Sequence, residues 1–336
     1  MKRKKAGIGR KYRAFPVVRP RGKPSKNYLR IFTKRWKVAF QLIKEEPLNF
    51  NRFIGIDWSG AENPGRGLQI AQCFQGNTIP QIVSKRESLN WRRREVLDWL
   101  VQINNQGERI IAGFDFAFAY PYCDEKAYFP GHKNSPNSFK SLWKVIDSIC
   151  GGDFYGGPFY KRNNAKFSDY LLYSTYKGQK YSGRMRITDN RCAELAGNPA
   201  PVFKCVGPES VGIGSVAGMR LLYYVNSNLN KDFFVWPFQR ENNERSVIVE
   251  IFPRFFYILA GMNPRDWRNR DTINSALKWF GSEALLHDVA IETDDQIDAI
   301  ISAAAIRHLA GNPATWQPSR LNECARAHEG WILGVV

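Results

Sequence analysis

Several apolar segments of this chain end in a carboxylate, and this pattern most constrains the fold. Residues 53–57 and 110–115 are apolar runs that end in Asp57 and Asp115, and residues 246–250 end in Glu250. An apolar run bounded by turn residues is typical of a buried strand. Because an unpaired charge is rarely buried, we expect these carboxylates where the strands leave a sheet.

A predicted helix near the C-terminus adds further carboxylates. Thr293 is a typical N-cap for a helix from about residue 294 to 310, which Gly311 ends. Asp298 lies four residues after Asp294 and three after Asp295, so the spacing places these carboxylates on one helix face. A helix-cap interpretation accounts for Asp294 but not for Asp298.

Together these residues predict a site for divalent metal ions. Oxygen ligands without a nearby His/Cys set favour Mg²⁺ or Mn²⁺ over zinc. Two such ions can activate a water molecule and stabilise the leaving oxygen in phosphodiester hydrolysis. The predicted metal ligands are Asp57, Asp115, Glu250, Asp294, Asp295 and Asp298.

The positive charge is concentrated in an N-terminal arm. Residues 1–50 contain 16 lysines and arginines and two acidic residues, a net +14 of the +18 of the whole chain. The spacing of Trp36, Phe40 and Ile43 predicts a short helix within this arm. Such a basic block favours nucleic acid as the partner, and the alternative is a solvated tail without a specific partner.

Residues 51–336 form the predicted main domain. Three strands, a helix and the strand ending at Asp115 predict a meander followed by a parallel crossover, and residues 233–236 predict another strand. Residues 116–210 are predicted to be an insertion rich in aromatic and basic residues. It could stack on nucleic-acid bases or form a packed aromatic core. The glycine-rich residues 211–215 could hold a phosphate, but tight helix packing is preferred.

Composition restricts where the protein functions. The six cysteines are widely spaced without a C-x-x-C pair, which predicts reduced core thiols and a cytoplasmic location. No apolar run reaches the roughly 18 residues of a membrane helix, so no membrane partner is expected. The first residues lack the apolar region of a signal peptide.

The order of these elements resembles the ribonuclease-H-like superfamily of retroviral integrases and Holliday-junction resolvases. More narrowly, it resembles the domain-of-unknown-function family 429, whose members are described as predicted nucleases. The resemblance covers about residues 52–335 and implies an α/β fold with a mixed five-stranded sheet flanked by helices. It is carried by residues 55–57, 114–115, 249–253, 293–299 and 329–335.

The resemblance implies a role for each carboxylate. Asp57 would bridge the metal ions, Asp115 and Glu250 would complete the site, and Asp295 and Asp298 would be the ligands from the terminal helix. These five residues are therefore the predicted catalytic set. Histidine is frequent in the family where Asp295 stands, so the choice between Asp294 and Asp295 stays open.

The predicted function is that of a two-metal nuclease. The first alternative is a protein that binds nucleic acid on a nuclease-like scaffold but does not catalyse its cleavage. A second is a sugar- or acetate-kinase-like phosphotransferase, which is disfavoured because no second half with a glycine-rich phosphate loop is found. A serine or cysteine hydrolase is not supported, since none of the four histidines lies near a nucleophile motif.

Overall fold

A computed structural model describes residues 49–76, 78–85, 90–161, 167–207, 210–239, 244–286 and 291–336. The predicted basic arm of residues 1–50, with its short helix, therefore lies almost entirely outside the described residues. The structure accordingly describes the body of the chain.

A six-stranded mixed sheet forms the centre of the body. Its spatial order is β3-β2-β1-β4-β8-β7. Strands β3, β2 and β1 are antiparallel neighbours, whereas β1, β4, β8 and β7 are parallel to one another. The strands are β1 (Arg52–Asp57), β2 (Gln69–Phe74), β3 (Gln81–Ile82), β4 (Ile110–Phe114), β7 (Phe233–Val235) and β8 (Ser246–Glu250), and a separate hairpin contains β5 (Leu172–Tyr173) and β6 (Tyr176–Lys177).

The predicted α/β class, meander and parallel crossover are confirmed, but the sheet has six strands where five were expected. The sixth strand is β7, which the sequence predicts as a strand without a place in the sheet, and it pairs in parallel with β8 at the edge. All three of its residues are apolar and buried, so pairing there removes both side chains and backbone from water.

Helices cover both faces of the sheet. They are α1 (Arg93–Asn105), α2 (Phe139–Ile149), α3 (Gly157–Tyr160), α4 (Ile187–Glu194), α5 (Gly212–Asn228), α6 (Pro253–Leu259), α7 (Arg270–Trp279), α8 (Asp294–Ala310) and α9 (Pro313–Trp316). Successive strand residues face opposite sides. Ile54 and Ile56 pack into one core with α1, α2, α5 and most of the insertion, and Phe53 packs into the other with α4, α6, α7 and α8.

Helix α8 crosses β1 in direct backbone contact. A Cβ atom built on Gly55 would lie 2.4 Å from the carbonyl oxygen of Ala299 and 2.6 Å from the amide nitrogen of Ala303. The thiol of Cys73 in β2 donates to the Ala303 carbonyl at 3.3 Å. Only a residue without a side chain fits between strand and helix here, and this close approach fixes where α8 begins relative to the end of β1.

The insertion is a packed aromatic core. Every aromatic side chain described within residues 116–210 is buried or half-buried, and Tyr120 stacks on Phe203 with ring centroids 4.5 Å apart. The packed-core interpretation is therefore confirmed, and an exposed surface of stacking aromatics is not found among the described residues.

The glycine-rich segment before α5 is also used for packing. The helix begins at Gly212, within the predicted turn, and a Cβ atom built on Gly212 would lie 2.6 Å from the carbonyl oxygens of Val202 and Lys204. A Cβ atom built on Gly60 would lie 2.4 Å from the amide nitrogen of Gly214. The preferred interpretation, tight helix packing, agrees with these contacts.

The cysteine prediction is correct for four residues and wrong for two. Cys73, Cys150, Cys192 and Cys205 are buried free thiols. Cys123 and Cys324 form a disulfide that links the start of the insertion to the C-terminal segment. They are 201 residues apart in sequence, so their spacing gave no indication of pairing. A cytoplasmic location stays a prediction.

The C-terminal segment closes the sheet with a single bridge. Residues 330–335 have the apolar sequence of a strand, and the structure pairs only Ile332 of this segment with Glu250. No helix in the described part of the chain is long and apolar enough to cross a membrane.

Candidate metal centre

Strands β1 and β4 bring two aspartates to the same edge of the sheet. Asp57 is the last residue of β1 and Asp115 directly follows β4. Because the strands are parallel, both residues lie where the chain leaves the sheet. The backbone N–H of Asp115 donates to the carbonyl of Ile56 at 3.1 Å, which fixes the two aspartates on neighbouring strands.

Both aspartates lie on the face of the sheet that α8 covers. Side chains alternate along a strand, so Asp57 is on the side of Gly55, where β1 contacts α8. The first turns of α8 carry Asp295 and Asp298. The helix begins there because the Thr293 hydroxyl accepts a hydrogen bond from the backbone N–H three residues on, at 3.3 Å.

The four aspartates interact strongly with one another. Burial raises the pKa of Asp57 well above its ordinary value, and the charges of Asp115, Asp298 and Asp295 raise it further. The Asp57 side chain also hydrogen-bonds to Asp295. Burial, and then the charge of Asp298, raises the pKa of Asp115. Burial and the charge of Asp295 raise the pKa of Asp298 to about 7. The cluster therefore holds more negative charge than its surroundings compensate.

Asp294 and Asp295 lie in different surroundings. Arg268 binds the carboxylate of Asp294 with two hydrogen bonds, one of 3.0 Å from Nε to Oδ1. Asp294 is 43% exposed in this ion pair. Asp295 instead hydrogen-bonds to Asp57. Of the two candidates left open by the sequence, the geometry therefore favours Asp295 as a member of the cluster.

Glu250 is the predicted site residue that the structure places differently. It pairs in register with Phe114, and both side chains lie on the face opposite to Asp57 and Asp115. Its side chain is 2% exposed and accepts hydrogen bonds from Arg186 at 2.5 and 2.8 Å. Glu250 is close enough to raise the pKa of Asp115 by its charge, but its carboxylate is directed at the insertion.

The donor chemistry of the four aspartates fits a hard divalent cation, although their geometry is not yet that of a bound site. Among the described residues, no three Asp, Glu, His or Cys side chains have an arrangement that could hold a metal ion as they stand. Burial first, and then mutual repulsion, raises the pKa values of Asp57, Asp115 and Asp298, and a bound cation would relieve both effects as a proton does. Asp57, Asp115, Asp295 and Asp298 are the residues that could hold the metal.

Sequence reasoning missed two arginines, one beside the cluster and one that holds the loop after Asp57. Arg254, an exposed residue in the first turn of α6, is the cation that opposes the raised pKa of both Asp115 and Asp298. Buried Arg93 in α1 donates to the carbonyls of Ser59, at 2.9 Å, and Ala61, in the loop after β1. The position of Arg254 one residue after a Pro at a helix start, four residues after Glu250, was the available signal.

The raised pKa of Asp298 predicts how the metal-free protein responds to pH. Its folded pKa of about 7 lies above the ordinary value of 3.8, so the folded state binds the proton more tightly. Stability should fall as the pH rises from about 4 to 7 and then level off. We expect Asp298→Asn to equal the wild type near pH 4 and to exceed it by about 2 kcal/mol near pH 8, allowing for solvent contact.

Urea unfolding of both proteins in EDTA measures this difference. The comparison removes the contribution of groups that Asp298 does not influence, such as His308, whose pKa burial lowers to about 4. A difference that does not change between pH 4 and 8 would contradict the prediction.

The fold and site define a mixed α/β protein with a carboxylate cluster at the carboxyl edge of its parallel strands. Comparisons with protein-family models, curated proteins and solved structures found no significant match to this chain.

Proposed function

We propose that this protein is a divalent-metal-dependent nuclease with a ribonuclease-H-like fold. The observation that carries the proposal is the convergence of Asp57, Asp115, Asp295 and Asp298 from two parallel strands and one helix. The resemblance stated for the sequence implies the same order of strands and helix. The basic N-terminal arm, with a net charge of +14 in residues 1–50, supports nucleic acid as the substrate.

The aspartates would hold Mg²⁺ or Mn²⁺, which when bound would polarise the phosphodiester and activate water. Asp57 interacts with all three other aspartates, so it would help to hold the metal together with each of them. Packing of α8 against Gly55 holds Asp295 and Asp298 in place beside the strands.

Arg254 would contact the phosphate of the substrate. It is exposed, and it lies close enough to Asp115 and Asp298 to affect both electrostatically. We expect Arg254→Gln to lower the cleavage rate by about 100-fold, the size of effect seen when one stabilising donor is removed. Metal affinity should not fall, because the substitution removes a positive charge from the site.

Cleavage rates and Mn²⁺ calorimetry on the same preparations measure both effects. Arg94→Gln is the matched control, because Arg94 is an exposed arginine of α1, which packs on the other face of the sheet. Unchanged cleavage by Arg254→Gln, or the same loss in the control, would contradict this role.

A cleavage screen tests the proposed function. The full chain is incubated with single-stranded, duplex and branched DNA and with RNA, each with Mg²⁺, Mn²⁺ or EDTA. We expect cleavage of at least one substrate with metal and none in EDTA. Cleavage that persists in EDTA, or no cleavage of any substrate despite measured Mn²⁺ binding, would count against a metal-dependent nuclease.

The second candidate is a nucleic-acid-binding protein without turnover. The concentration of positive charge in residues 1–50 favours it. It predicts binding that weakens steeply with salt and is lost when residues 1–50 are deleted, with no cleavage under any metal. Filter binding at several salt concentrations, run beside the cleavage screen, separates the two candidates.

A further inference from the structure

We infer that Glu250 is not a metal ligand but the counter-ion of Arg186, and that Arg186 is a positioning residue for the loop that carries Asp115. The inference rests on the proposed function where it concerns the metal. The residues involved, Arg186, Asp189, Glu250 and Glu329, are all at most 2% exposed and are called the Arg186 cluster below.

The guanidinium of Arg186 has no unused donor. Its Nη2 donates to Glu250 Oε1 at 2.5 Å and to Asp189 Oδ1 at 2.7 Å. Its Nη1 donates to Glu250 Oε2 at 2.8 Å and to the carbonyl of Glu329 at 3.2 Å, and its Nε donates to Asp189 Oδ2 at 3.0 Å. Arginine has five N–H donors, so the five contacts use all of them. Moving Glu250 to a metal would leave a buried guanidinium partly unpaired, which is costly.

Both carboxylate oxygens of Glu250 are also hydrogen-bonded. Its Oε2 accepts a second hydrogen bond, from the backbone N–H of Phe118 at 3.0 Å. Its side chain lies on the face of the sheet that Phe114 shares, whereas Asp57 and Asp115 lie on the α8 face. Strand alternation therefore separates Glu250 from the aspartates even though its backbone is on the neighbouring strand.

The Arg186 cluster holds three distant chain segments together. The Glu329 carboxylate accepts backbone N–H groups of Tyr122, Cys123 and Ile187, each at 2.7 Å. Glu250 binds Phe118, three residues after Asp115. The loop from Asp115 to Cys123 is thus fixed by two buried carboxylates, and Arg186 neutralises one of them. Loss of Arg186 should loosen this loop and with it Asp115.

A charge-neutral variant separates the two roles of Glu250. Arg186→Met alone leaves two buried carboxylates without their cation. The triple variant Arg186→Met, Asp189→Asn, Glu250→Gln removes all three charges. In the wild type, Asp189 and Glu250 accept hydrogen bonds from the backbone N–H groups of residue 186 and Phe118. The amide side chains of the variant keep an oxygen acceptor for both groups. Asp57→Asn serves as the reference for a lost ligand.

Two readouts are taken on each variant: the melting temperature in EDTA, and Mn²⁺ affinity by calorimetry well below the melting temperature. We expect Arg186→Met to melt at least about 10 °C lower and to bind Mn²⁺ about 10-fold more weakly, as for outer residues that orient ligands. The triple variant should regain most of the lost melting temperature and most of the lost Mn²⁺ affinity. Asp57→Asn should lose about 100-fold or more in affinity without melting lower.

Each of the following outcomes would contradict one part of the inference. A triple variant that binds Mn²⁺ as weakly as Asp57→Asn would make Glu250 a ligand. Arg186→Met with lower stability but unchanged affinity would leave Arg186 a structural role only, and unchanged stability would remove that role as well. If the triple variant folds poorly, the Mn²⁺-induced rise in melting temperature gives the same comparison. Absence of Mn²⁺ binding by the wild type would defeat the metal site itself, and the melting comparison would still test the Arg186 cluster.

Discussion

Asp57→Asn is expected to lower Mn²⁺ affinity by about 100-fold or more and metal-dependent cleavage by about 1,000-fold or more, as for residues that act as one catalytic unit. Asparagine has the shape of aspartate but lacks its charge. Since Asp57 interacts with Asp115, Asp295 and Asp298, its charge contributes to every part of the cluster. Calorimetry and initial cleavage rates measure the two losses on the same preparation.

The same substitution should stabilise the metal-free protein, which distinguishes lost chemistry from lost folding. Burial and three neighbouring charges raise the pKa of Asp57, so removing its charge relieves repulsion at neutral pH. We expect a gain of about 1 kcal/mol in the free energy of unfolding in EDTA. Asp98→Asn, at an exposed ion pair of α1, is the control and should change neither binding nor cleavage. A destabilised Asp57→Asn would point to a structural role.

Gly55→Ala is expected to destabilise the protein by about 3 kcal/mol, at the upper end for overpacking of a core. The added Cβ would lie 2.4 Å from the Ala299 carbonyl oxygen, and both atoms belong to regular backbone that cannot move alone. Relief requires α8 to shift away from β1. The shift would move Asp295 and Asp298 away from Asp57, so Mn²⁺ affinity should fall as well.

Gly151→Ala is the matched control, because a Cβ atom there meets no atom within 4 Å. Its free energy of unfolding should stay within about 0.5 kcal/mol of the wild type. Urea unfolding of the two variants and the wild type measures the difference. Equal stability of Gly55→Ala and Gly151→Ala would show that α8 has room to move.

Much of the fold could be predicted because its signals are local. The apolar runs at β1, β4 and β8 have the length of strands, and Thr293 and Gly311 mark the ends of α8. The features that differ from the sequence prediction, such as the start of a helix or the place of a strand in the sheet, depend on tertiary contacts. Helix α5 begins inside a glycine-rich turn because Gly212 packs against neighbouring carbonyls. The pairing of β7 with β8 depends on a partner that local sequence does not specify.

The sequence predicts which residues end the strands, but it does not predict on which face of the sheet their side chains lie. A carboxylate at the end of each strand was visible, but the face on which it points depends on register. Glu250 pairs with Phe114, not with Asp115, and this shift of one residue places its side chain on the other face. Arg186 lies 64 residues away in sequence, so nothing local indicated the ion pair.

The Cys123–Cys324 disulfide also decides what a protease can separate. Asp57 and Asp115 precede the first of these cysteines, and Asp295 and Asp298 lie between the two. One backbone cut between Cys123 and Asp295 would divide the four aspartates between two peptides. The disulfide would keep those peptides in a single covalent molecule, which migrates as an intact chain until a reductant divides it into two.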